Sequence, residues 1–213
     1  MKLILYKRQK VFFTSDSHYD HANLCSATSN WSDSETRKFD SLADMNDTIV
    51  DGINSVVGEN DILIHFGDWS FGGFENIKIF RDRIKCKNIH LIEGNHDKFI
   101  RKNKDNVRSL FLSVHEYLAL TIVRKNEQRI MEKHRFVCMH YPIASWNGLS
   151  KGVMHLHGHI HSSKEHRLGP GRSLDVGCDG NDYIPYSLDD VLELLKDRPI
   201  KHLSLKHDHH EED

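Results

Sequence analysis

Cysteine is scarce and scattered: Cys25, Cys86, Cys138 and Cys178 form no CxxC pair, which argues against a zinc ribbon and a dense disulfide framework and favours a reducing compartment. No apolar run approaches membrane-spanning length. The short apolar stretch in the N-terminal MKLILYKRQK is too brief for a signal-peptide core, so a soluble cytoplasmic protein is expected. Neither charge sign dominates: 29 Lys plus Arg face 31 Asp plus Glu. A surface near neutrality is not built for long-range capture of nucleic acid, and any anion site must be local. There is no internal repeat and no linker rich in Pro, Gly or Ser. The 213 residues therefore read as one domain over positions 1–205 with a polar tail, KHDHHEED, over 206–213.

What is abundant is histidine. Seventeen imidazoles raise the expectation of a metal or acid/base site without locating it. Position does that. Apolar runs of strand length recur at Val11 to Phe13, Ile62 to Ile64, Ile89 to Ile92, Phe136 to Met139 and Val153 to Leu156. Helix-spaced apolar residues fill Ser34 to Val57 and Phe74 to Ile84, so the first half alternates strand and helix as βαβ units with a largely parallel sheet do. In the second half, Phe111 to Val123, Ile130 to Met139, Val153 to Leu156 and Ser173 to Val176 follow one another with little helix between. A second, mainly antiparallel or mixed sheet is implied. A last helix is predicted after Ser187, with Asp189 and Asp190 in its first turn and Pro199 beyond its end.

Each apolar run is followed by a group that contains ligand-type residues: Asp16 and His18, then Gly67-Asp68, then Gly94-Asn95-His96-Asp97, then His140-Tyr141, then Gly158-His159-Ile160-His161. A sheet delivers the residues after its strands to one shared edge, where sites form. Residues two apart in an extended segment point the same way, so Asp16 and His18 can converge on one ion. Asp-Ser-His or Gly-Asp alone is ordinary turn chemistry and a lone His140 would be a packed histidine, whereas Gly-Asn-His-Asp is more specific and Gly-His-Ile-His moderately so. The ordered set is far more specific.

Together, DSH at Asp16 to His18, GD at Gly67, GNHD at Gly94, the lone His140 and GHIH at Gly158 resemble the motif series of the calcineurin-like metallophosphoesterases, across about residues 11 to 195. DSHYDHANL, the WNG at Trp146 and VGCDGNDYIPYSLDDV resemble small bacterial and phage members. The resemblance implies an α/β fold, a four-layer α/β/β/α sandwich of two sheets flanked by helices. It implies one ion on Asp16, His18 and His161, a second on Asn95, His140 and His159, and Asp68 between them. It also implies hydrolysis in line at phosphorus, with His96 as the group that stabilises the transition state or protonates the leaving oxygen and Asp97 orienting it. Imidazole, carboxylate and amide donors without thiolate suit two divalent transition metals, manganese first, with iron, zinc or nickel as alternatives.

Substrate choice is open. The motifs fit a phosphodiesterase on small or nucleotide-type substrates, a phosphomonoesterase or pyrophosphohydrolase on the same donors, or a non-catalytic scaffold of that fold, the last disfavoured because the motif set is complete. Asn95, His96, His21 and Tyr141 are candidates to contact substrate. Long nucleic acid is not favoured, although Lys98, Arg101, Lys102 and Lys104 form a basic run after GNHD. His65, His90, His155 and His157 lie within apolar runs and read as packed or supporting residues, while His115, His134, His166 and His202 have no motif context.

Overall fold

Runs of branched apolar residues with no alternation mark strands covered on both faces. In the computed structural model, which describes residues 1–6, 8–32, 36–103, 107, 109–126 and 129–201, Val11–Thr14 (β2), Ile62–His65 (β3) and Met154–His157 (β8) are buried at every position. The first five-stranded sheet has the order β10-β2-β3-β4-β5, where β4 is Asn88–Ile92, β5 is Ser113–His115 and β10 is Tyr186–Ser187. β2, β3, β4 and β5 pair in parallel, and β10 closes the edge antiparallel to β2. The helices α1 (Leu42–Val56) and α2 (Phe74–Arg83) make the crossovers. Alternate side chains of these strands split between two cores. Phe12, Leu63, Ile89 and Leu91 meet Met45, Ile49, Ile77 and Phe80 from the helices, whereas Val11, Phe13, Ile64 and Ile92 face the other sheet.

That second sheet, of order β1-β6-β7-β8-β9, contains Lys2–Leu5 (β1), Tyr117–Lys125 (β6), Ile130–Met139 (β7), β8 and Ser173–Asp175 (β9). It is mixed: β6 and β7 are antiparallel and every other pairing is parallel. Leu118, Leu120, Ile122, Phe136, Cys138, Leu156 and Leu174 fill the space between the sheets. The fourth layer is thin, a 3-10 turn at Leu149–Lys151 whose Leu149 packs with Trp146 and Val153 on Val137. The last helix, α4 (Leu188–Leu195), begins after Ser187, as predicted; Ser187 and Asp190 form a capping box there, and Leu188, Val191 and Leu195 enter the inter-sheet core.

Two expectations differ in detail. The first helix starts at Leu42 rather than Ser34, because the Ser41 hydroxyl accepts from Asp44 N–H and caps it there. The run from Phe111 to Val123 is two strands, β5 in the first sheet and β6 in the second, since the chain changes sheets at Glu116. The second sheet is mixed, one of the two arrangements expected. Among the described residues no helix is long and apolar enough to cross a membrane. Lys104, His202 and the tail 206–213 lie outside the described residues.

Candidate metal centre

The strands end flush, Thr14 beside His65 and His65 beside Leu91, so the loops that follow open on one edge. The route by which they present their side chains is not the extended one. Asp16 (φ 55°), His18 (φ 47°), Asp68 (φ 52°), His159 (φ 75°) and His161 (φ 48°) all adopt the left-handed region, which non-glycine residues occupy at a cost of about 1–3 kcal/mol each. Asp16 and His18 therefore converge through two successive turns and not along a pleat. Interlocking backbone bonds hold those turns: Asp16 N–H donates to Gly67 O (3.0 Å) and His18 N–H to Asp68 O (2.9 Å). The glycines permit the approach. A Cβ at Gly94 would land on the Asp68 carboxylate and backbone, and one at Gly158 on Ser15 Oγ and Asp16 Oδ2.

The result is two donor groups joined at one oxygen. His18 Nε2 lies 3.2 Å from His161 Nε2 and 3.4 Å from Asp68 Oδ2, and His161 Nε2 lies 4.0 Å from Asp16 Oδ1. On the other side Asp68 Oδ2 is 3.5 Å from His140 Nε2, and Asn95 Oδ1 is 2.8 Å from His140 Nε2 and 3.0 Å from His159 Nδ1. The seven residues singled out from the sequence all meet here. Asp16 Oδ1 and His18 Nδ1 are buried without a hydrogen-bond partner among the described residues. Burial pushes the Asp16 carboxyl up to about 7, with the nearby Asp68 and Asp175 carboxylates adding to the rise and His161 opposing it. A divalent cation on this donor set would satisfy the orphaned carboxylate oxygen and hold Asp16 ionised, so the residues fit such an ion.

Two residues that the sequence did not single out complete the cluster. Asp179 Oδ2 accepts from His161 Nδ1 at 2.9 Å, which leaves the Nε2 lone pair of His161 facing His18. Arg37, buried, grips Asp179 with Nε at 2.7 Å and Nη2 at 2.8 Å, and also donates to the backbone oxygens of Asp16 and Ser17. Burial would raise the Asp179 carboxyl, but Arg37 and His161 outweigh it and hold it well below the usual carboxylate range. Burial lowers His161, yet Asp179 and Asp16 leave its net shift upward. His140 is fixed similarly, with Nδ1 donating to Phe66 O at 2.7 Å. Asp179 stands in the VGCDGNDY segment, but nothing in the spacing around Arg37 or Asp179 marks either.

Asp97 requires a correction. Its carboxylate accepts from the backbone N–H groups of Asp68 (2.8 Å), Trp69 (3.0 Å) and Gly94 (2.8 Å), so it braces the two loops and does not orient the His96 imidazole. Burial pushes this carboxyl up to about 6 in spite of those bonds. His96 itself is exposed; its backbone N–H donates to Asp68 Oδ1 at 2.8 Å and its ring lies 5.2 Å from that of His18.

A cavity of about 460 Å³ opens over the donors, lined by His18, Asp68, Asn95, His96, His159 and His161 and walled by His21, Trp31 and Ile160. Its only Lys or Arg among the described residues is Arg37, already paired with Asp179. His21 stacks flat on Phe71 at 3.7 Å, and burial, with His96 and Arg37 nearby, lowers its pKa to about 4. Tyr141 is exposed and stands outside the cavity lining, with its ring against His140 (5.0 Å) and His159 (4.7 Å). His65, His90, His155 and His157 are buried and hydrogen-bonded, as their apolar context predicts.

The model of the calcineurin-like phosphoesterase family matches residues 9–208. An uncharacterized protein from Methanocaldococcus jannaschii is 28% identical over 193 residues, covering 88% of this chain and 92% of its own. The crystal structure of a protein of unknown function from Aquifex aeolicus has the same fold at a TM-score of 0.59 and 20% identity, covering 88% of this chain and all of that one.

Proposed function

Because the chain belongs to the calcineurin-like phosphoesterase family, a family of metal-dependent phosphoester hydrolases, we propose that it is a binuclear phosphodiesterase acting on small or nucleotide-type substrates. Asp16, His18 and His161 would hold one ion, Asn95, His140 and His159 a second, and the Asp68 carboxylate would lie between them. The carrying observation is the near-equal distance of Asp68 Oδ2 from His18 Nε2 (3.4 Å) and His140 Nε2 (3.5 Å), which makes one oxygen common to both groups. Divalent ions bound there, with manganese the first candidate, supply an activated water and positive charge for the phosphoryl oxygens.

The protein's own part is geometry and a proton. Asp179 holds His161 in the tautomer that leaves Nε2 free, and Phe66 O does the same for His140. His96, exposed at the cavity wall, gives a proton to the departing ester oxygen. The diester reading is favoured over the monoester by charge. A monoester dianion asks for a further cation beside the metals, and the only guanidinium in the cavity wall among the described residues is paired with Asp179. The test is hydrolysis of bis(p-nitrophenyl) phosphate and p-nitrophenyl phosphate by manganese-loaded protein with chelator controls. Metal-dependent turnover favouring the diester supports the proposal. Faster monoester hydrolysis overturns the diester assignment.

A further inference from the structure

A second cavity, of about 430 Å³, adjoins the metal centre and is lined by none of the seven donors. It lies between the loop after β3 and the short helix α3 (Lys98–Lys102), and His96 belongs to the walls of both cavities. Its wall is aromatic and aliphatic: Phe71, Phe99, Ile77 and Ile100. Phe99 is 39% exposed, with its ring 6.4 Å from that of Phe74. Ser70 adds a hydroxyl that is buried and without a hydrogen-bond partner among the described residues. At the rim stand Lys98 and Lys102, four apart on one helix face, neither in an ion pair among the described residues. Arg101, between them in sequence, differs: it pairs with Glu93 and donates to Gly94 O, so it supports the GNHD loop.

An apolar wall, with a hydroxyl and two cations that have no partner among the described residues, reached past the residue assigned to protonate the leaving oxygen, describes a site for an aromatic group that carries its own negative charge. We propose that this cavity is the leaving-group subsite, and that it takes the nucleoside and second phosphate of a nucleotidyl phosphodiester, the base lying against Phe71 and Phe99 and the phosphate meeting Lys98 and Lys102. The assignment rests on the phosphodiesterase reading and deepens it: the scissile phosphate stays at the metal centre, and specificity comes from the other half of the ester. Phe71 links the two regions, stacked on His21 at 3.7 Å and with its ring 5.4 Å from that of His96.

Binding measures this without requiring turnover. Adenosine 3',5'-bisphosphate, adenosine 5'-monophosphate and inorganic phosphate are titrated calorimetrically into the manganese-loaded protein, its Lys98→Ala/Lys102→Ala variant and its Phe99→Ala variant. The wild type is expected to bind the bisphosphate about tenfold more tightly than the monophosphate, a preference that shrinks with added salt. The double lysine variant should erase that preference. Phe99→Ala should weaken both nucleotides relative to inorganic phosphate. Equal affinity of the wild type for the two nucleotides, or a preference that survives loss of both lysines, overturns the subsite. Failure of manganese-dependent diester hydrolysis would instead sink the phosphodiesterase reading, and the titrations would still show whether the cavity takes a nucleotide bisphosphate.

Discussion

His96 is the only exposed imidazole among the histidines that line the metal-centre cavity, and its side chain makes no hydrogen bond to the donor residues among the described residues. Removing the ring should therefore spare the ions and remove only the proton transfer. His96→Ala is expected to keep its metal content, measured by atomic emission, while kcat falls about 10²–10⁴-fold. Full activity in that variant would take His96 out of the mechanism. Asp179 acts one bond further away. Asp179→Asn should weaken metal binding at the His161 side about 10–100-fold, because the amide can turn its NH₂ toward Nδ1 and favour the wrong tautomer. A titration curve identical to wild type would show that Asp179 serves only to bury Arg37. The seven donors were legible because each follows an apolar run. Arg37 and Asp179 were not, since they lie 142 positions apart and meet only through the fold.

The loops and strands carry predictions of their own. Gly158 approaches Ser15 and Asp16 so closely that even a methyl group has no room, although its φ is not in the left-handed range. Gly158→Ala should cost about 1–3 kcal/mol in thermal unfolding and also lower metal content, because the clash displaces Asp16. Retained affinity for manganese would mean that the loop yields without moving the carboxylate. His155 joins β8 to β7 and to the loop beyond, its Nδ1 bonded to Val137 O and its Nε2 accepting from Ile143 N–H. Burial lowers His155 to about 4, and burial, with His140 next, lowers His65 to about 3. Both stay neutral in the fold but bind a proton once unfolded. The stability they contribute is complete above the unfolded value of 6.5 and is lost as pH falls toward 3–4. Each should add a slope of about 1.4 kcal/mol per pH unit in that window. His155→Gln should flatten the curve of melting temperature against pH, and an unchanged slope would contradict the assignment. Sequence periodicity located these strands but not the break at Glu116, where the apolar pattern runs on while the chain passes from one sheet to the other.

At the scale of the whole molecule, the site draws on both sheets: Asp16, His18, Asp68 and Asn95 follow strands of the first, and His140, His159 and His161 follow strands of the second. Ions that bind only when the sheets are docked must stabilise that docking. Manganese at about a hundred times its dissociation constant should raise the melting temperature by about 5–10 °C, and chelator should reverse the rise. Asp68→Ala removes the oxygen common to both groups and is expected to lose ion stoichiometry along with the stabilisation. Two ions surviving in that variant would contradict its place between them. The sheet pairing was legible in outline from the order of strands and helices. The parallel partnership of β1 with β6, Lys2 beside Thr121, was not, because so short an N-terminal run gives no sign of a partner so distant in the chain.

Of the five donors in left-handed turns, Asp16 and His18 are held by the peptide oxygens of Gly67 and Asp68, and Asp68 by the Asp97 carboxylate. The shape of this part of the cage is thus written into the main chain. A divalent cation entering between these loops would need little rearrangement of the polypeptide around Asp16, His18 and Asp68.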